Sequence, residues 1–189
     1  MALISDGKFV ENDWRHLADE EDLPKAGKII VSQKRLDDAL AALPADRPLG
    51  VMVANTTDPA ALAPHFSRLA LIAVAFPAFA DGRGFSLARL LRRAGFTGEL
   101  RASGRLVADQ SVHARQCGFD TIEIPADLAA RQDEAQWRAA PMARSINRAT
   151  GRVRSSNAGE RRHHETVARR CAGAAPRAAR SRSSFAIGA

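Results

Sequence analysis

Five short apolar runs punctuate the chain, over residues 28–32, 49–54, 69–76, 99–103 and 121–124, and helical stripes fill the intervals between them. No other feature limits the fold as much. A helix between two extended segments lets them lie parallel, and such crossovers are right-handed in nearly every known case. Ile29-Ile30-Val31 and the run 69–76 carry no polar alternation, as expected of strands covered on both faces. Leu36, Ala39, Leu40 and Leu43 mark one helical face, stopped by Pro44. Leu87, Leu90, Leu91 and Ala94 mark another, ended by Gly95. Asp58 and Pro59 open a short helix that Pro64 limits, and Asp109 is placed to cap one that Gly118 closes. Asp6-Gly7 between two short apolar runs predicts an N-terminal β-hairpin, with Trp14 and Leu17 covering one end of the core. The expectation is an α/β domain over residues 1–127. Its sheet is open, mostly parallel and of about five strands, a barrel fragment or a doubly wound sheet. A complete eight-stranded barrel needs about 250 residues, more than the 189 available.

The richest loop joins the third run to the helix after it: Asp81-Gly82-Arg83-Gly84-Phe85-Ser86. Glycines let a ligand approach the main chain, Ser86 is placed to cap the helix, and Arg83 brings a forked cation. One reading is an anion site built from Arg83, Gly84 and Ser86, with Arg101 adding a second guanidinium. The other is a strand–turn–helix joint in which Asp81 accepts backbone donors and pairs with Arg83. If the strands are parallel, Asn55, Asp81, Arg83, Arg101, Ser103, Asp109 and Gln110 all fall at strand exits, where open sheets place their ligands. Asp81 and Asp109 are then the candidate acid–base groups, and Asn55, Ser103 and Gln110 the candidate contacts to a substrate or partner. The structural alternative pairs Arg101 with Asp109 and makes Gln110 a loop cap.

Several chemistries lack their motifs. There is no P-loop and no dinucleotide fingerprint. Cys117 and Cys171 form no Cys-x-x-Cys pair, and Cys117, ahead of Gly118, reads as a packed residue. His16, His65 and His113 have no ligand spacing, so neither a metal nor a cofactor is expected. The first residues lack a charged leader, and no apolar run approaches the roughly 18 residues of a membrane span, so a cytoplasmic protein is expected.

The net charge of +7 is unevenly spread. Residues 1–130 hold 15 Lys+Arg against 17 Asp+Glu, whereas residues 131–189 hold 13 against 4, every cation an arginine. Arg161-Arg162-His163-His164 and the arginines from 177 to 182 suit phosphate backbones, but such a composition fits a disordered basic tail over 128–189 better.

Asp81-Gly82-Arg83-Gly84-Phe85-Ser86, followed by Ala88-Arg89-Leu90-Leu91-Arg92, then Gly98-Glu99-Leu100-Arg101, Asp109-Gln110 and Cys117-Gly118-Phe119-Asp120, occur in an order that resembles a bacterial family, domain of unknown function 934. Met1-Ala2-Leu3-Ile4 and Trp14 with Leu17 fit it too, so the resemblance spans about residues 1–127. It implies a place beside sulfite or nitrite reductase genes and the label of an oxidoreductase of sulfite reduction. The resulting expectation is an accessory protein of assimilatory sulfite reduction, one that binds the reductase or an anionic sulfur species. The alternatives are an enzyme acting on a small oxyanion at the strand exits, and nucleic-acid binding through the tail. The resemblance also implies a short helix and an aromatic segment towards the end. Their apparent loss, in a chain without tyrosine, points to a reading frame shifted from around residues 128–145.

Overall fold

The computed structural model describes residues 1–139. Ala2–Ser5 (β1) and Lys8–Val10 (β2) form the expected hairpin, Leu3 opposite Val10. Asp6 and Gly7 turn it with φ of 49° and 76°, the positive values that a tight hairpin turn needs. Then come Trp14–His16 (β3), Lys28–Ser32 (β4), Leu36–Ala42 (α1), Leu49–Val53 (β5), Pro59–Leu62 (α2) and Leu69–Phe76 (β6). Arg83–Arg93 (α3), Glu99–Gly104 (β7), Ser111–Cys117 (α4), Thr121–Ile124 (β8), Ala126–Ala129 (α5) and Glu134–Ala139 (α6) follow.

All eight strands share one sheet, in the order β2-β1-β8-β7-β6-β5-β4-β3. Strands β3 to β8 are parallel and adjacent in chain order, while β1 joins β8 antiparallel. The sheet is therefore larger than five strands, and mixed. Two features account for the difference. Trp14–His16 is a parallel edge strand rather than a cover over the core, and the hairpin extends the main sheet along β8. A three-residue strand and a hairpin leave little periodicity to read.

Twist accumulated over six parallel strands curls the sheet into a half-barrel. The sign of this is a contact between the first and last of the six parallel strands: His16 on β3 meets Glu123 on β8 at 2.9 Å. Val31, Val51, Ile72, Val74, Leu100 and Ile122 face outward into the main core with the buried faces of the helices. The inner face holds a small apolar cluster of Ile30, Leu71 and Ala73, flanked by Trp14 and Met52. The barrel-fragment form of the expectation fits this topology, and the doubly wound form does not.

Two helices begin elsewhere than expected. α3 starts at Arg83 with Gly82 as its N-cap, so Ser86 lies inside the helix and caps nothing. Its buried residues are Gly84, Phe85, Leu87, Ala88 and Leu91, and Leu90 is left 46% exposed. α4 takes Gln110, not Asp109, as its N-cap residue, after a 3-10 turn over Ala108–Gln110, and Gly118 ends it at φ 107°. Asp58 does cap α2, accepting from the Ala60 amide, with Pro59 in the first turn.

The fold also continues past residue 127. Trp137 on α6 is 2% exposed, and Gln132 Oε1 accepts from the Ala108 amide at 2.7 Å. The arginine clusters of the tail lie outside the described residues. No helix among those described is long and apolar enough to cross a membrane.

Candidate functional site

Parallel strands bring the exits of β5 and β6 together, and with them Asn55, Asp81 and Arg83. Asn55 follows β5 and is buried, and its Nδ2 donates to Asp81 Oδ2 at 2.8 Å. Arg83, at the first turn of α3, closes on the same carboxylate. Its Nε donates to Oδ1 at 2.9 Å and its Nη2 to Oδ2 at 2.7 Å. The Arg83 amide adds a longer bond of 3.3 Å. The guanidinium, and then the Asn55 amide, hold the Asp81 carboxyl well below the usual carboxylate range, and Asp81 in turn raises Arg83. Asp81 thus occupies the start of α3, the place an external anion would take.

Beside this pair lies an open cavity of about 270 Å³, lined by Asn55, Thr56, Thr57, Arg83, Ser86, Leu87 and Leu90. Ser86 therefore belongs to the site as a wall rather than as a cap. Gly84 does not. It packs on the Phe76 ring so closely that a Cβ there would sit 2.7 Å from Cε2, which accounts for the glycine without any ligand.

Arg101 and Ser103 point into the half-barrel instead, and there they join residues that the sequence had not marked as a site. Glu123 is wholly buried and accepts from Asn12 Nδ2 at 3.0 Å and from Ser103 Oγ at 3.0 Å, with His16 Nε2 at 2.9 Å. Arg101, 1% exposed, donates through Nη2 to Glu99 Oε1 at 2.9 Å and through Nη1 to Asn12 Oδ1 at 3.0 Å. Thr121 Oγ1 also donates to Glu99, at 2.6 Å. Burial opposes ionisation of Glu123, but the hydrogen bond and charge of His16, the charge of Arg101 and the Ser103 hydroxyl together outweigh it and lower its pKa. Every polar group in this cluster that the sheet buries has a partner, as a structural network requires.

Arg101 therefore pairs with Glu99, and the expected pair with Asp109 does not form. Asp109 is exposed on the turn before α4. Gln110 does cap its loop: its Oε1 accepts from the Val107 amide at 3.2 Å and its Nε2 donates to the Phe79 carbonyl at 2.8 Å. Cys117 is buried, which raises its thiol pKa, with His113 Nε2 at 3.7 Å from Sγ. His113 stacks edge-on to Phe85, and His16 belongs to the Glu123 cluster. Among the described residues no three His, Cys, Asp or Glu side chains gather to hold a metal ion.

The inner cluster had left one trace in the sequence. Glu99-Leu100-Arg101-Ala102-Ser103 and Thr121-Ile122-Glu123-Ile124 both alternate polar with apolar, which sets their polar side chains on one face of neighbouring strands. Asn12 and His16 left none, because only the curl brings them there.

Residues 50–145 match the model of a family described as "Bacterial protein of unknown function (DUF934)". No curated protein and no solved structure matches the chain.

Proposed function

We propose, for a chain that belongs to the bacterial family of unknown function DUF934, that it is an accessory protein of assimilatory sulfite reduction. It acts by docking on the reductase through the groove beside Asn55, Arg83 and Ser86. The sulfite part of this reading comes from the family resemblance. The docking part is carried by one observation, that Asp81 fills the fork of Arg83 at the mouth of the groove.

That closed pair argues against proton transfer. A general acid or base works best with a pKa near the working pH, and Asp81 is held far below it. It also weakens the case for a free anionic sulfur species, which would have to share Arg83 with a carboxylate already fixed by three side-chain donors. A protein surface has neither difficulty, because it can use the hydroxyls of Thr56, Thr57 and Ser86 and the face of Leu90 at once.

Titration calorimetry of the full chain against purified sulfite reductase tests the reading. A complex should form, and Arg83→Ala should weaken it about tenfold, because it leaves the Asp81 carboxylate unpaired at the mouth of the groove that the partner covers. A strain without the gene should need added cysteine, and the Arg83→Ala copy should restore growth poorly. Absence of a complex, together with growth that does not depend on cysteine, would overturn it. Heat on titration with sulfite alone, lost in Arg83→Ala, would shift the reading to the oxyanion.

A further inference from the structure

Resting on the reading that this groove is a docking surface, we propose that its occupant is an acidic segment of the partner protein bearing one large apolar side chain. That side chain seats on Leu90 while flanking carboxylates meet Arg89 and Arg93.

α3 carries four arginines and no acid. Two of the four are neutralised inside the fold, Arg83 by Asp81 and Arg92 by Asp120. Arg89 and Arg93 are exposed, and Arg93 pairs with no acid among the described residues. The helix dipole favours cations in a last turn, which accounts for Arg92 and Arg93. Arg89 stands earlier, exposed at the rim of α4, where it also hydrogen-bonds the Cys117 thiol, and neither the dipole nor that bond gives a reason for an exposed leucine beside it. Leu90 is 46% exposed, whereas Leu87 and Leu91 are at 3% and 0%. It also walls the cavity, whose opposite side, Asn55 to Thr57, is uncharged. Positions 86, 89, 90 and 93 are neighbours on a helix surface, so the apolar step and the two cations form one stripe.

Charge complementarity chooses the sign of the partner and steers its approach, and the buried apolar anchor supplies most of the affinity. A nucleic acid would satisfy the arginines but leave Leu90 in water. The leucine therefore favours a polypeptide.

The probe is a labelled peptide of Asp and Glu around one central Leu, followed by fluorescence anisotropy with the full chain. Two controls are the same peptide with a central Ser and a Lys-rich counterpart. The Leu peptide should bind about tenfold tighter than the Ser peptide, and Leu90→Ser should erase that difference. Arg89→Glu with Arg93→Glu should abolish the specific binding, leaving only the background contributed by the basic tail, which every variant keeps. Arg89→Ala with Arg93→Ala serves if charge reversal disturbs the circular dichroism. Equal binding of the Leu and Ser peptides, binding indifferent to the arginine variants, or tighter binding of duplex DNA than of the Leu peptide would overturn the proposal. Purified sulfite reductase separates it from the reading beneath. A reductase complex insensitive to these variants removes the acidic segment and keeps the docking role. Peptide binding without a reductase complex does the reverse.

Discussion

Glycine at position 84 is set by its neighbour and not by a ligand. The Phe76 ring lies where a Cβ would go and is itself packed against Phe85 and Phe119, with ring centroids 5.0 and 5.8 Å away. It has no free direction in which to yield. Gly84→Ala should therefore lower stability by about 1–3 kcal/mol, the usual cost of overpacking, as read by denaturant unfolding. Glu123 shows how much a single buried charge can link. From β8 its carboxylate ties in β3 through His16, β7 through Ser103 and the loop between β2 and β3 through Asn12. Because its pKa is lower in the folded state than its ordinary 4.5, it stabilises the fold fully above that value. The contribution fades as pH falls through the folded-state pKa. Glu123→Gln should cost about 2–3 kcal/mol near neutrality. The gap between variant and parent should narrow in acid below about pH 4.5, measured by urea unfolding across pH.

At the scale of elements, α3 and the segment after α4 are clasped by one side chain. Arg92 donates through Nε to the Gly118 carbonyl at 3.0 Å and through Nη1 to the carbonyls of Phe96 and Gly98 at 2.9 and 2.8 Å. Nη2 reaches Asp120 at 2.5 Å. Gly118 caps the end of α4, and Phe96 and Gly98 lie on the turn between α3 and β7, places where the carbonyls have no regular secondary-structure partner. A lysine cannot reproduce the planar fork. Arg92→Lys should therefore lose most of what Arg92→Ala loses, about 2 kcal/mol or more for bonds to a charged group, judged by thermal unfolding. The same helix shows how far periodicity carries. Leu87, Leu90, Leu91 and Ala94 read as one apolar face, but the sheet turns the helix so that Gly84, Phe85 and Ala88 join Leu87 and Leu91 inside. Leu90 and Ala94 are left in solvent. A stripe of leucines fixes that a helix packs, and its rotation depends on what it packs against.

Over the whole molecule, the half-barrel is held by its outer apolar core and closed on the inside by a polar seam. α6 adds a cover, with Trp137 buried and its carbonyl close against the Gly7 turn, where a Cβ would stand 2.9 Å from that oxygen. Trp137→Ala should cost about 3–5 kcal/mol and remove the more buried of the two tryptophan emissions, checked by fluorescence during unfolding. The sequence alone determined the parallel β/α order, the strand at residues 69–76, the Asp6-Gly7 turn and the capped start of α2. Each of these follows from local periodicity or turn chemistry, in which the residues concerned are neighbours in the chain. It also brought Asn55, Asp81 and Arg83 to one rim, because parallel strands share an exit edge. The pairing of Asp81 with Arg83, two positions apart, was one of the two readings the loop left open, and the structure takes it. Tertiary structure alone decided that Arg101 would turn inward to Glu99 rather than to Asp109, and that Asn12 and His16 would meet Glu123 more than a hundred positions away. The long-range meetings depend on sheet curl, which arises from the packing of all the elements together and leaves no mark at Asn12 or His16 themselves.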